Sequence, residues 1–240
     1  MKRELRQFIY KRKSVRKYKA DKVSQNLLSD IQAFFQNTVS LYPHIQTQMR
    51  ILPRESVHCF FKWTPPHAVA FYSEETDGYL ENAGFILQQV ELYLQSLGLG
   101  ACWLGLAKQK ITASDNNGLK FVILLGFGYP NEPQFRGMDE FNRKPLSEIC
   151  QPTDERLECA RLAPSSVNSQ PWFFVRDNET VHTYCSKTGL LRMVALGNFN
   201  RIDMGIALAH IAIENENFAF FKCEDVSEQK GYYYFGSFRL

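Results

Sequence analysis

Two stretches of the chain carry residue types and spacings that could hold an anionic, polar ligand. In "RKSVR", Arg12, Ser14 and Arg16 alternate, and in an extended segment alternate residues point the same way. Two guanidiniums and a hydroxyl on one side would make a phosphate clamp, because the arginine fork matches phosphate oxygens. Basic triplets are also common on solvated surfaces, so that reading stays open. The second stretch is "APSSVNSQPWFF". Pro164 should close the preceding helix, and Pro171 should keep Gln170 extended. Ser165, Ser166 and Asn168 then fall in a turn, offering donors and acceptors to a polar ligand edge. A plain helix-to-strand connector, with Asn168 bonded to its own backbone, would use the same residues.

The elements that must position these stretches follow from apolar periodicity. Leu5, Phe8 and Ile9 give a first helix one apolar edge, and its end is expected near Ser14. "NLLSDIQAFF" repeats at helical spacing, and "HAVAFY" reads as a strand after a Pro-Pro break. "YLENAGFILQQVELYLQSLGLG" is apolar on too many sides for a surface helix, which predicts a buried central helix ended by Gly98 and Gly100. "ACWLGL" and the strand "KFVILLGFGYP" come next. The polar connector "NRKPLSEIC" then leads to a helix at "TDERLECARLA". The later part predicts a strand pair in "WFFVRDNETVHTYCS" turning at Asp177 and Asn178, a helix from Ile202 in "IDMGIALAHIAIENENFAF", and a last strand in "GYYYFGSFRL". "NAGFILQQVEL" and "IDMGIALAHIA" match in their offsets, a glycine opening each helix. The expected architecture is α+β, with two related half-domains, 1–150 and 151–240, and antiparallel β-sheets flanked and bridged by helices.

The 240 residues, 45% hydrophobic and 22% charged, suffice for one sizeable core or two small ones. No apolar run reaches the about 18 residues of a spanning helix, so no membrane partner is expected. The opening "MKRELRQFIYKRK" is charged without an apolar signal region, so no secretory leader is expected. Six scattered cysteines form no CxxC pair, which points away from metal ribbons and toward reduced thiols in a cytoplasm. Net charge is only +3, yet Lys2 to Lys19 holds nine Lys or Arg and one Glu. That cluster should attract an anion. A nucleic acid is not the expected partner, since no helix-turn-helix or RNP-like pattern accompanies it. His210 on the apolar "IALAHIAI" reads as a satisfied core histidine, and Asp203 as a cap near that helix's start. Trp103 could wall a ligand, Trp172 reads as core, and nothing marks Cys102 as an activated thiolate.

Taken together, "RKSVR", "PSSVNSQPW", "NAGFILQQVELYLQSLGLGACWLG", "LLGFGYPNE" and "NRKPLSEI" resemble the flavin-dependent nitroreductase family and touch nearly the whole chain. Members of that family are homodimers with FMN at the interface, the basic segment and the serine-asparagine loop coming from different subunits. Here the first half keeps the basic segment but has "DIQAFFQNTVSLYPHIQ" where the loop should stand. The second half keeps the loop and lacks the basic segment. The chain therefore resembles the single-chain branch of the family, implying an intramolecular pseudo-dimer with one FMN site. A monomer is expected, with a weak homodimer as the alternative.

By this resemblance Arg12 holds the phosphate, Ser14 adds a hydrogen bond and Arg16 lies nearer the ribityl chain or pyrimidine edge. Arg143 and Lys144 match a second phosphate-binding pair, although a solvated turn would look the same. Leu104 and Gly105 match the segment whose glycine N–H approaches flavin N5. Pro164, Ser165, Ser166 and Asn168 meet the ring or ribityl, with Gln170 contributing. The implied activity is a two-step one: NADH or NADPH reduces the flavin, which then reduces a small-molecule electron acceptor such as a nitroaromatic or quinone. No catalytic side chain is singled out. A flavin-binding or sensor protein without turnover is the alternative.

Overall fold

A computed structural model describes residues 2–59, 63–110, 117–187 and 190–240, with the backbone alone for residues 2 and 190–197. The first half holds α1 (Lys2–Ile9), α2 (Gln25–Gln36), β1 (Thr47–Pro53), β2 (Val57–His58), β3 (His67–Ser73), α3 (Tyr79–Ser96), β4 (Gly100–Leu104), β5 (Lys108–Gln109), β6 (Lys120–Gly128) and α4 (Leu146–Ile149). The second holds β7 (Cys150–Gln151), α5 (Glu158–Arg161), β8 (Trp172–Asp177), β9 (Thr180–Ser186), α6 (Leu190–Glu214), β10 (Phe220–Phe221) and β11 (Tyr232–Arg239).

The strands form a four-stranded sheet in the order β1-β3-β6-β4 and a five-stranded sheet in the order β10-β11-β9-β8-β7, with β2 and β5 as a separate ribbon. All pairings are antiparallel except β7 with β8, which run parallel. Helix α3 packs on the first sheet, α6 contacts the second, and α1 lies against both helices.

Helices α3 and α6 cross at a reciprocal contact. A Cβ built on Gly84 would sit 2.0 Å from the Ile202 carbonyl oxygen, and one built on Gly205 would sit 2.0 Å from that of Glu81. Glu81 precedes Gly84 by three residues, as Ile202 precedes Gly205, so one crossing is met from both sides in the same register. Any side chain at either glycine would push the backbones apart. These glycines were expected to open their helices; both lie inside them. α6 also starts at Leu190, twelve residues before Ile202, and ends at Glu214.

α3 is buried along almost its whole length, polar residues included. Its amides are used to dock the segment that replaces the expected first-half loop. Asn82 Oδ1 accepts from the Leu41 and Tyr42 N–H groups (2.9 and 3.1 Å), and Gln89 Nε2 donates to the Val39 carbonyl at 2.8 Å. α3 ends where Gly98, at φ 74, turns the chain and Leu99 N–H returns to the Leu94 carbonyl.

α1 ends at Ile9, five residues before the expected end at Ser14. The reason is long-range. Arg12 is 1% exposed and pairs with Glu91, fully buried on α3, at 3.0 Å. "TDERLECARLA" forms a 3-10 turn at Glu155–Leu157 followed by the single helical turn of α5, not one helix.

Candidate functional site

The basic segment is fixed by backbone pairing. Ser14 bridges to Ala101 in parallel, and Val15 N–H donates to the Ala101 carbonyl at 2.9 Å, so "RKSVR" covers the free edge of β4. Gly100 permits this approach, since a Cβ there would meet Val15 at 2.6 Å. Glu132 Oε1 then accepts the N–H groups of Arg16 (2.6 Å) and Lys17 (3.1 Å). Arg12 and Ser14 do share a side, with Arg12 Nη2 donating to Ser14 Oγ at 3.1 Å.

The second-half loop is strained. Val167, Asn168 and Gln170 all take left-handed φ values (47, 56 and 47°), a region costly for a β-branched residue. Gln170 was expected to be extended before Pro171; it is not. Such a conformation persists only where its surroundings over-determine it, and here they do. Gln170 N–H donates to Ser165 Oγ at 2.9 Å, and Ser166 N–H reaches both carboxyl oxygens of Asp203 at 3.0 Å. Arg143 Nη1 donates to Asn168 Oδ1 at 2.7 Å, and Lys144 N–H to Gln170 Oε1 at 2.8 Å. Asn168 Nδ2 donates to the Asn142 carbonyl at 3.0 Å, so its side chain binds a neighbouring strand of chain, not its own turn.

Between segment and loop lies a cleft of about 370 Å³. Ser14 and Arg16 line one side, Pro164, Ser165, Ser166 and the 78%-exposed Val167 another. Cys102, Trp103 and Gly105 at the end of β4, with Phe199, Ile202, Asp203 and Ile206 on α6, complete much of the wall. Burial raises the Cys102 thiol, the nearby Arg16 and Arg12 only partly opposing it, so it is no thiolate nucleophile.

The electrostatics are lopsided. Burial and then repulsion from Arg12, Arg136 and Arg161 push Arg143 down to about 10, and burial and then Arg12 lower Arg136. Arg12 is balanced by Glu91, but neither Arg136 nor Arg143 forms an ion pair among the described residues. Arg136 Nε is buried with no hydrogen-bond partner among the described residues, and so is Nε1 of Trp103 in the cleft wall. Orphaned donors of this kind are rare in a finished interior and mark a missing acceptor. The donor set fits a phosphorylated heterocycle: cations for a dianion, and the hydroxyls of Ser14, Ser165 and Ser166 for a polar edge.

Residues 4–215 match the family model described as "Putative TM nitroreductase". The chain belongs to this nitroreductase family. Membership makes it an oxidoreductase by class, and a solved structure shares its fold. A crystal structure of a putative nitroreductase from Thermotoga maritima aligns with a TM-score of 0.64 at 19% identity, covering 98% of this chain and 91% of that one. An FMN-dependent nitroreductase from Clostridium difficile aligns at 0.44 and 20% identity, over 56% of this chain and 93% of that one. A putative NADH dehydrogenase/NAD(P)H nitroreductase from Bacteroides thetaiotaomicron aligns at 0.45 and 15% identity, over 60% and 95%. No curated protein matches the chain.

In this nitroreductase-family chain, six of the residues singled out from the sequence line the cleft: Ser14, Arg16, Gly105, Pro164, Ser165 and Ser166. Leu104, Arg12, Arg143, Lys144, Asn168 and Gln170 do not. Leu104 points into a small apolar cluster with Val57, Ala68 and Leu124. Arg12 stands behind Ser14, and Arg143, Lys144, Asn168 and Gln170 bond to one another behind the loop. Arg143 is no solvated turn: besides Asn168 it donates to the Ala163 carbonyl at 3.1 Å. Asp203 does not cap α6; it sits inside the helix and anchors the loop. His210 is a satisfied core histidine, Nδ1–H donating to the Cys159 carbonyl (2.8 Å) and Nε2 accepting from Gln88 (3.0 Å), and burial pushes it down to about 3. Trp172 is core, as expected.

Sequence reasoning missed Arg136 and the α6 wall. Arg136 sits in "NEPQFRGMDE", which has no periodicity to flag it. The wall did have a signal, since Phe199, Ile202, Asp203 and Ile206 fall at i, i+3, i+4 and i+7 of one helix face.

Proposed function

We propose that this chain is an FMN-dependent oxidoreductase holding one flavin, a monomer in which residues 1–150 and 151–240 stand in for two subunits. The observation that carries this reading is the single cleft walled by Ser14 and Arg16 on one side and by Ser165 and Ser166 on the other. Beside it lies an arginine group whose positive charge exceeds that of its partners. The reciprocal glycine contact between α3 and α6 supports the two-subunit imitation, because a two-fold interface brings the same pair of positions together from each side.

The residues divide the work by chemistry. Arg136 and Ser14 hold the phosphate, Arg143 adds positive charge from behind the loop, and Arg12 supports Ser14 from behind. Arg16 favours negative charge on the pyrimidine edge. Gly105 and the Ser165 and Ser166 hydroxyls lie against the ring, and Lys144, Asn168 and Gln170 keep the loop in its strained shape. Apolar Phe199, Ile202 and Ile206 exclude water on the α6 side. When bound, FMN supplies the two-electron relay from NADH or NADPH to a small electron acceptor such as a nitroaromatic or quinone. The proton that accompanies reduction comes from water entering the cleft.

The test is the absorbance spectrum of the purified chain with added FMN, followed by anaerobic titration with NADH and NADPH and reoxidation by a quinone. Bleaching and recovery of the flavin band are expected. A flavin that bleaches but is reoxidised by no acceptor would replace the enzyme reading with a sensor, and a colourless protein would end both.

A further inference from the structure

Next to the flavin cleft lies a second, wider groove of about 690 Å³. The two share Arg16 and Trp63, so one opens beside the other. The groove is cationic. Among the described residues, Arg16, Lys17, Lys19, Lys22 and Arg54 line it against one carboxylate, Glu55. All five cations are exposed, and none forms an ion pair among the described residues. Glu132 is committed to the backbone N–H groups of Arg16 and Lys17. Like charges gathered in a concave surface repel one another and focus a positive potential, a cost that a bound polyanion removes.

One wall of the groove is aromatic. Trp63 packs on Tyr18 with ring centroids 6.3 Å apart, and His67 stacks on Phe127 at 5.5 Å. His67 Nε2 has no hydrogen-bond partner among the described residues, and burial holds the imidazole below its ordinary range, with Glu55 opposing this and Lys22 adding to it. Flat rings beside clustered cations suit a purine nucleotide: the base stacks and the phosphates meet Lys and Arg. A small acidic metabolite would use the cations and leave the rings idle.

We propose that this groove takes the adenosine end of the dinucleotide donor and selects the form with a third phosphate, NADPH over NADH. The proposal rests on the flavin-oxidoreductase reading for its role. The extra 2′-phosphate adds close to two negative charges, which Lys22 and Arg54, in the lining of the groove and not of the flavin cleft, would meet, while Arg16 and Trp63, common to both, mark the passage toward the flavin cleft.

The experiment uses nucleotide fragments that need no flavin. The full chain, with and without FMN, is titrated calorimetrically with adenosine 2′,5′-bisphosphate and with 5′-AMP. The bisphosphate should bind at least about tenfold tighter, as one or two charge-assisted contacts would give. It should weaken markedly from about 0.05 to about 0.5 M salt. In the double variant Lys22→Glu, Arg54→Glu the two affinities should converge, while FMN retention, which reports folding, stays as in the parent. Equal affinities in the parent chain, no binding of either fragment, or discrimination that survives in the double variant would overturn the proposal. FMN retention is read separately: its failure alone sinks the flavin site and leaves the groove standing, and the converse result does the reverse.

Discussion

Asp203→Asn removes one ionisable group from the anchor of the strained loop and leaves its shape. Asp203 is 3% exposed, accepts Ser166 N–H on both oxygens, and receives Ser169 Oγ at 3.4 Å. No cation pairs with it among the described residues, and burial pushes it up from 3.8 to about 8, the hydrogen bonds from Ser166 and Ser169 only partly opposing the shift. At neutral pH the folded chain therefore carries a proton here that the unfolded chain has lost. The sign follows: this group's stabilisation is complete below its unfolded value and falls as pH rises toward 8. The slope approaches about 1.4 kcal/mol per pH unit inside that window. Between about pH 6 and about pH 7.5 the loss is then about 2 kcal/mol, or roughly 4–8 °C in Tm for a chain of this size. Asparagine keeps an acceptor for Ser166 N–H and a donor for Ser169 Oγ, but cannot ionise. Thermal unfolding followed by circular dichroism, as the difference between parent and variant at each pH, cancels every other titrating group. The variant should gain on the parent as pH rises. Parallel pH profiles would refute a protonated Asp203.

Other expectations follow from single contacts. Gly84→Ala places a Cβ where a carbonyl oxygen stands 2.0 Å away, so overpacking of about 1–3 kcal/mol or more should outweigh a helix-propensity gain of about 1 kcal/mol. Its Tm should drop, and an increase would mean the crossing is looser than described. Glu91→Ala strands the buried Arg12 and should cost about 3–5 kcal/mol in urea unfolding; a loss below about 1 kcal/mol would show that water reaches the pair. Cys102, raised by burial, should be alkylated by iodoacetamide well after the half-buried Cys59 and Cys223, as peptide mass spectrometry would show; equal rates would contradict the burial assigned to it.

What the sequence disclosed and what it withheld divide along the range of the forces involved. Strands β3, β6 and β9 and the buried helix α3 were legible because local periodicity and Gly or Pro punctuation reflect the same packing that the fold realises. The two ligand-facing stretches were legible through residue types and spacing. The early end of α1 was not, because no cap, glycine or proline announces it; it is imposed by Arg12 reaching Glu91, 79 positions away. The start of α6 at Leu190 was hidden by Gly197, Asn198, Asn200 and Arg201, which interrupt the apolar pattern ahead of Ile202. Gly84 and Gly205 were visible as matched offsets, yet their role as a crossing point required both helices in space. Arg136 needed the mutual repulsion of several arginines, which is a property of the folded cluster and of no single segment.

The central claim is one flavin per chain, held between the N-terminal basic segment and the late serine-asparagine loop. Its most direct test is quenching of FMN fluorescence on titration with the purified chain, read for stoichiometry and Kd and paired with light scattering for mass. The account predicts one FMN per 27.8 kDa monomer, with Kd weakened about 10- to 100-fold by Arg16→Ala or Arg136→Ala, the loss expected for a charge-assisted hydrogen bond. Absence of FMN binding, binding that needs a dimer, or affinity undiminished in both variants would contradict it.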